Sequence, residues 1–235
     1  YNIVMTLNIG AHLSRSTSLV DALEISADII QIFISNPRGY QPPKDSDVEL
    51  FTSSQLPISI HLPYLVNFAS ARDDVREKSF NLYKSTDACC KEIAKFIVVH
   101  GGQGGVDLDI NTANSHWGNT LQGYRNNVKL LIENTAGGNA APGRDIVNLV
   151  KLIKDLKSNG LNIGICYDTC HAFAAGSDNF IKDLEYITAN LGRVDLIHLN
   201  DSRDPLNSSR DRHANIFKGL IPSEMIKDVV IYASK

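Results

Sequence analysis

The sequence predicts an α/β fold: one (β/α)-barrel domain spanning residues 1–235. Three observations carry that expectation. Apolar, β-branched-rich runs recur along the chain, and each is followed by a longer stretch with room for a helix. The runs are continuous rather than alternating, as suits strands covered on both faces of a parallel sheet. No G-x-G-x-x-G phosphate loop follows the first run, which favours a closed barrel over a doubly wound nucleotide-binding sheet.

The elements follow in order. Strands are expected at 3–9, 28–34, 56–60, 95–99, 128–132, 161–167 and 194–199. A helix over 72–94 places Val75, Leu82, Tyr83, Thr86, Cys90 and Ile93 near one face. A second over 143–160 does the same with Ile146, Leu149, Val150, Ile153 and Leu156, and Asn159–Gly160 terminates it. His116 and Trp117 are read as residues of a packed or surface helix start, with no chemical role. The chain opens on Tyr1 and stops at Lys235 in mid-pattern, so the natural protein is expected to be longer. An open seam between the first and seventh strands would otherwise expose two apolar edges.

Composition narrows the class. With 235 residues, 43% hydrophobic and 21% charged, the chain can bury one large core. It has neither a signal-peptide start nor an apolar window of about 18 residues, so a soluble intracellular protein without a membrane partner is expected. The four cysteines, Cys89, Cys90, Cys166 and Cys170, match no redox motif or disulfide framework and are read as reduced, half-buried thiols.

The strand ends carry the chemistry. At or just after the seven runs stand His12, Asn36, His61, His100, Glu133, Asp168 and His198, and in a barrel the C-terminal strand ends ring one mouth. Any one of them alone would more often cap a loop; seven in register point to a site. No G-x-S-x-G elbow is present, and no cysteine sits beside a base in a hydrolase pattern, which argues against covalent catalysis. His61, His100, His171, His198 and His213 with Glu133, Asp168 and Asp211 make a donor set larger than the about four ligands that one zinc takes. A multinuclear metal site is therefore expected. Clustered metals can activate water near neutral pH and hold both the entering and leaving oxygens of a phosphodiester.

These residues lie in motifs that resemble those of the endonuclease IV family, which cuts DNA at abasic sites with zinc. The resemblance rests on "IGAHLS" (9–14), "HLPYLVNFAS" (61–70), "IENTAG" (132–137), "DTCHAFAAG" (168–176), "HLNDS" (198–202) and "DRH" (211–213), in the family's order and spacing. It implies a (β/α)8 TIM barrel, the eighth strand missing from the sequence given, with three zinc ions, manganese being a possible substitute. By the same resemblance His61, His100 and Glu133 hold the first ion. Glu133 bridges to the second, which Asp168 and His198 also hold, and His171, Asp211 and His213 hold the third. Glu133 and Asp168 are then the catalytic carboxylates, and Cys166 and Cys170 are not ligands.

The implied reaction is hydrolysis of the phosphodiester 5′ to an abasic nucleotide in double-stranded DNA, leaving a 3′-hydroxyl and a 5′-deoxyribose phosphate, by a monomeric DNA-repair enzyme. Arg38 in "SNPRGYQ" matches the position of an arginine that enters the DNA, and Tyr64 that of an aromatic wedge; the plain alternatives are a surface cation and a core tyrosine. A formal charge of −3 excludes a broadly basic nucleic-acid binder. Three dications would nevertheless outweigh Glu133, Asp168 and Asp211 locally. Arg203, Arg210 and Arg212 offer further phosphate contacts or simply a solvated loop. Two departures from the family pattern stand out: a glutamate ligand expected on the eighth strand is not in the sequence, and Phe217 replaces a small residue. The rivals are a metal-dependent sugar isomerase or epimerase, which needs no third ligand set, and a lesion-binding protein without turnover.

Overall fold

A computed structural model of the chain describes residues 7–235. Its elements are β1 (Gly10–His12), α1 (Ser18–Glu24), β2 (Ile29–Ile32), α2 (Asp45–Glu49), β3 (Ile58–His61), α3 (Asp73–Cys89), β4 (Ala94–His100), α4 (Ile110–Thr120) and β5 (Lys129–Glu133). There follow α5 (Ile146–Ser158), β6 (Ile163–Asp168), α6 (Thr169–Ala175), α7 (Phe180–Leu191), β7 (Leu196–His198), β8 (Asp201–Ser202), β9 (His213–Ala214) and α8 (Ser223–Ala233). Strands β1 to β7 form one curled parallel sheet in chain order, the TIM-barrel arrangement, and β8 pairs with β9 in a separate antiparallel ribbon. No described helix is long and apolar enough to cross a membrane.

The first strand departs from expectation. Residues 3–6 of the expected 3–9 run lie outside the described residues, and pairing begins only at Gly10, opposite Ile29. The reason is local. A Cβ on residue 10 would fall 1.6 Å from the Ile29 carbonyl oxygen, so glycine alone permits this approach. Ile9 is tied off by Asp28, whose backbone N–H donates to the Ile9 carbonyl at 2.7 Å and whose carboxylate accepts from the Ile9 N–H at 3.0 Å.

The remaining strands fall on the expected runs within about two residues, and strand parity divides the core. Ile30, Ile32, Ile58, Ile60, Ile97, Val99, Leu130, Ile132, Ile163, Ile165 and Tyr167 face outward into one layer with the helices. Phe96, Val98, Leu131 and Cys166 face the barrel axis and form a smaller inner cluster. Helix α5 supplies Leu149, Val150, Ile153 and Leu156 to the outer layer. It starts at Asp145, whose carboxylate accepts from the Asn148 N–H, and ends at Gly160, φ +87°. Trp117 lies well inside α4 rather than at a helix start; it is fully buried against Phe68 and donates from Nε1 to the Gly101 carbonyl at 3.0 Å.

The four cysteines are free, but three are fully buried rather than half-buried, because Cys166 points into the inner cluster and Cys90 and Cys170 lie on packed helix ends and faces. Among the described residues, strands β1 and β7 are the outer strands of the sheet. A cavity of about 1170 Å³ runs from the strand ends into the gap between them, past Gly10, Leu196 and Val229. Strand β7 is half-buried, whereas β6 is buried throughout.

Candidate metal centre

The parity that sends Phe96 and Val98 inward also sends His100 inward, two residues on. The same step takes Leu131 to Glu133, Cys166 to Asp168, Leu196 to His198 and Ser59 to His61. The pairing aligns them laterally: His100 is opposite Glu133 and Asp168 is opposite His198. Each strand therefore delivers its last inward side chain to one mouth, on the face where barrels carry their chemistry.

Glu133 is the hub. It is 1% exposed. Its Oε2 lies 3.1 Å from His61 Nε2 and 3.5 Å from His100 Nε2, and its Oε1 lies 2.9 Å from His198 Nδ1 and 3.3 Å from His171 Nδ1. Burial works against its charge, but His198 and His100 hold the carboxyl well below its usual range. Burial pushes His100 down to about 4, so it stands as a neutral donor.

The loop after β6 brings the other group. Asp168 is the N-cap of α6, accepting from the His171 backbone N–H at 2.8 Å, so one turn of helix sets the two side chains side by side. Asn200 donates to the other Asp168 oxygen at 2.7 Å. Asn134 brackets the same turn: its side chain accepts from the Asp168 N–H at 2.6 Å and donates to the Asp168 carbonyl at 2.9 Å. Asp211 Oδ1 lies 3.1 Å from His171 Nε2 and 3.0 Å from His213 Nε2. The β8–β9 ribbon that carries His213 is anchored by buried Asp201, which accepts from the N–H groups of Ser202, Gly219 and Ile221. Burial opposes the charge on His171, yet Asp168, Asp211 and Glu133 raise it to about 10; burial likewise opposes Asp211, and the two histidines lower it.

The histidines are oriented for ligation. His61 Nδ1 meets the Leu62 carbonyl at 2.7 Å, leaving Nε2 for the centre. His171 Nδ1 meets the Asn134 carbonyl at 2.9 Å, leaving Nε2, which is buried and has no hydrogen-bond partner, Asp211 approaching it without hydrogen-bond geometry. One ring nitrogen bonded to an outer acceptor and the other free toward carboxylates is the arrangement of metal-ligating imidazoles. Donor atoms of His61, His100 and Glu133 lie within 4.8 Å of one another, as do those of Asp168, His171 and His213. Glu133 and His198 group with Cys166, and Asp211 and His213 with Cys170. Asp168 Oδ2 is 3.9 Å from His198 Nδ1 and 3.8 Å from His213 Nε2, so it faces both neighbouring groups. Burial holds both thiols protonated, and the oxygen and nitrogen donors suffice for several borderline-hard dications without them. The residues fit a cluster of metal ions.

All eight expected donors converge. The two DNA-contact candidates stand at the rim: Tyr64 is 58% exposed, so it is no core residue, and its ring lies 6.0 to 6.2 Å from those of His100 and His61. Its N–H donates to the Pro37 carbonyl at 3.1 Å, which brings exposed Arg38 alongside. Arg212 is committed to Asp204, Nε to Oδ2 at 2.7 Å, and Arg210 lies 3.6 Å from the same carboxylate. Phe217 adopts φ +62° with its side chain 52% exposed, a backbone region that suits the small residue expected there. Sequence reasoning missed Asn134, Asn200 and Gln31 as outer supports of the donors. Gln31 had a signal, being the one polar residue in "IIQIFI" and on the inward parity.

The chain matches the model of the xylose isomerase-like TIM-barrel family over residues 19–230. It is 39% identical over 220 residues to a protein of Mycobacterium leprae named probable endonuclease 4, covering 93% of this chain and 86% of that one. The chain belongs to the endonuclease IV family. The crystal structure of endonuclease IV from Thermus thermophilus superimposes with a TM-score of 0.79 at 31% identity, covering 95% of this chain and 87% of that one. A 3-keto-D-glucoside 4-epimerase of E. coli superimposes with a TM-score of 0.66 over 95% of this chain and 87% of that chain, but at 12% identity it shares the fold alone. In this endonuclease IV relative the histidine- and carboxylate-lined mouth is the candidate active centre.

Proposed function

We propose that this chain, an AP endonuclease of DNA repair, hydrolyses the phosphodiester 5′ to an abasic nucleotide in double-stranded DNA and leaves a 3′-hydroxyl and a 5′-deoxyribose phosphate. The observation that carries the reading is the convergence of eight donors about one buried carboxylate, with Glu133 touching His61 through one oxygen and His198 through the other. Three zinc ions are the proposed cofactor, manganese being an acceptable substitute. His61, His100 and Glu133 would hold one; Glu133, Asp168 and His198 the second; His171, Asp211 and His213 the third. Bound dications supply Lewis acidity toward the phosphate and a nucleophile near neutral pH.

The chain's own residues do the rest. Glu133 and Asp168 each face two donor groups and would set the spacing between bound ions, and with it the orientation of the phosphate for in-line attack. The centre is built around a carboxylate that is itself buried, so the abasic sugar must leave the duplex to reach it. A nucleotide without a base loses least stacking on extrusion, which selects the substrate. Tyr64 and Arg38 sit on the rim where the vacated stack needs an apolar face and the phosphates a cation. The protein acts as a monomer wherever its DNA lies. The deciding experiment is incision of a duplex carrying one abasic-site analogue by the zinc-loaded full-length protein without magnesium. One cut on the 5′ side with an extendable 3′ end is expected; an intact strand sinks the reading, tight binding of that duplex then marking a lesion binder.

A further inference from the structure

Two of the inward histidines are oriented by backbone carbonyls, His61 by Leu62 and His171 by Asn134. His198 is different. Its Nε2 meets a side chain, Gln31 Oε1, at 3.0 Å, while its Nδ1 faces Glu133. Gln31 lies on β2, which has no place among the proposed ligands, and is buried. Its amide is held from three sides. Ser59, opposite it on β3 and also buried, donates its hydroxyl to Oε1 at 3.3 Å; Gln31 Nε2 donates to His12 Nδ1 at 3.1 Å across the β1–β2 pair. In this orientation the two lone pairs of Oε1 meet two donors and Nε2 meets His12, so each polar atom of the amide has a partner.

From this geometry we infer that Gln31 is a positioning residue for the metal centre: its carbonyl oxygen fixes His198 with the proton on Nε2 and the lone pair on Nδ1, directed at the ion shared with Glu133 and Asp168. A barrel-filling role alone would require only a side chain of this volume. The observed role requires an acceptor at Oε1. The inference rests on the zinc-cluster reading above.

The test separates acceptor from volume. Gln31→Met keeps the bulk and removes the acceptor; Gln31→Glu keeps an acceptor at the same reach and strengthens it. Zinc affinities of the full-length protein are measured by competition with a chromophoric chelator, and the cobalt-substituted proteins by visible spectroscopy. Loss of an outer-shell acceptor weakens a metal site by about 10- to 100-fold. Gln31→Met is therefore expected to loosen one zinc by that factor and alter one component of the cobalt spectrum, with the other ions and the unfolding midpoint of the metal-free protein unchanged. Gln31→Glu is expected to bind that zinc at least as tightly as the parent. Ser59→Ala, which frees the amide, loosens the same ion by less than Gln31→Met. Parental affinity in Gln31→Met overturns the inference, as does an equal loss in Gln31→Glu and Gln31→Met, which would mark a packing role. If the parent protein itself takes up no zinc, the cluster reading fails and the inference falls with it.

Discussion

Glu133 Oε1 lies 2.9 Å from His198 Nδ1, though the two residues sit on strands separated by β6. Lateral neighbours in a parallel sheet cannot reach past a strand unless the sheet curls, so this contact measures the curvature that closes the mouth. Glu133 also meets His61, two strands away on the other side. Removing its charge should therefore empty two ion sites at once. Glu133→Gln is expected to lower kcat by at least about 10²-fold, the order seen when one electrostatic stabiliser is lost, and to lose two zinc ions per chain by elemental analysis. Full zinc content in this variant would show that the carboxylate does not bridge.

His171 offers a cleaner probe of the third group. Its backbone N–H, not its ring, caps onto Asp168, so a shorter side chain leaves the α6 N-terminus intact. His171→Ala should lose one zinc and most activity, with the near-ultraviolet circular dichroism of the parent. Normal turnover with three ions bound would refute the assignment of this residue.

The end of β6 was legible in the sequence because a polar cluster closing an apolar run leaves few placements, whereas the short helix α6 that Asp168 caps was not. Nor was the register of β1. An apolar run at 3–9 says nothing of where the backbone can approach Ile29, which only Gly10 decides. Asn134 and Asn200 were hidden for another reason: they support ligands through amides, and an amide in a loop looks like turn chemistry until its partners are known. Arg212 similarly reads as a free cation until the turn brings Asp204 to it.

The charge balance makes metal uptake pH-dependent. His171 is raised to about 10 by Asp168, Asp211 and Glu133 working against burial, so near pH 7.5 the metal-free protein holds a proton there. A ligating imidazole must give that proton up. The sign follows: with the proton bound below pH 10, zinc affinity rises with pH, by about tenfold per unit for each proton expelled. Calorimetric titration of the metal-free protein with zinc in buffers of different ionisation heat should give release of about one proton or more for this ion. Heats independent of the buffer would contradict the charged state assigned to His171.

Tyr64 tests the rim independently of the ions. Its ring packs edge-on to Phe33 at 5.1 Å and stays 58% exposed, so truncation removes little buried area and breaks no hydrogen bond to a donor. If the ring occupies the stack vacated by the extruded nucleotide, Tyr64→Ala forfeits one stacking contact, worth about 1–3 kcal/mol, or roughly 10- to 100-fold in affinity for abasic duplex. Zinc content should match the parent, and the loss should be smaller on undamaged duplex, where no gap awaits filling. Arg38→Ala should behave differently, weakening both duplexes and flattening the salt dependence of binding, because a phosphate contact carries no information about the lesion. Equal loss on damaged and undamaged DNA in Tyr64→Ala would reduce the tyrosine to a surface contact and leave the extruded state to be held by the ions alone.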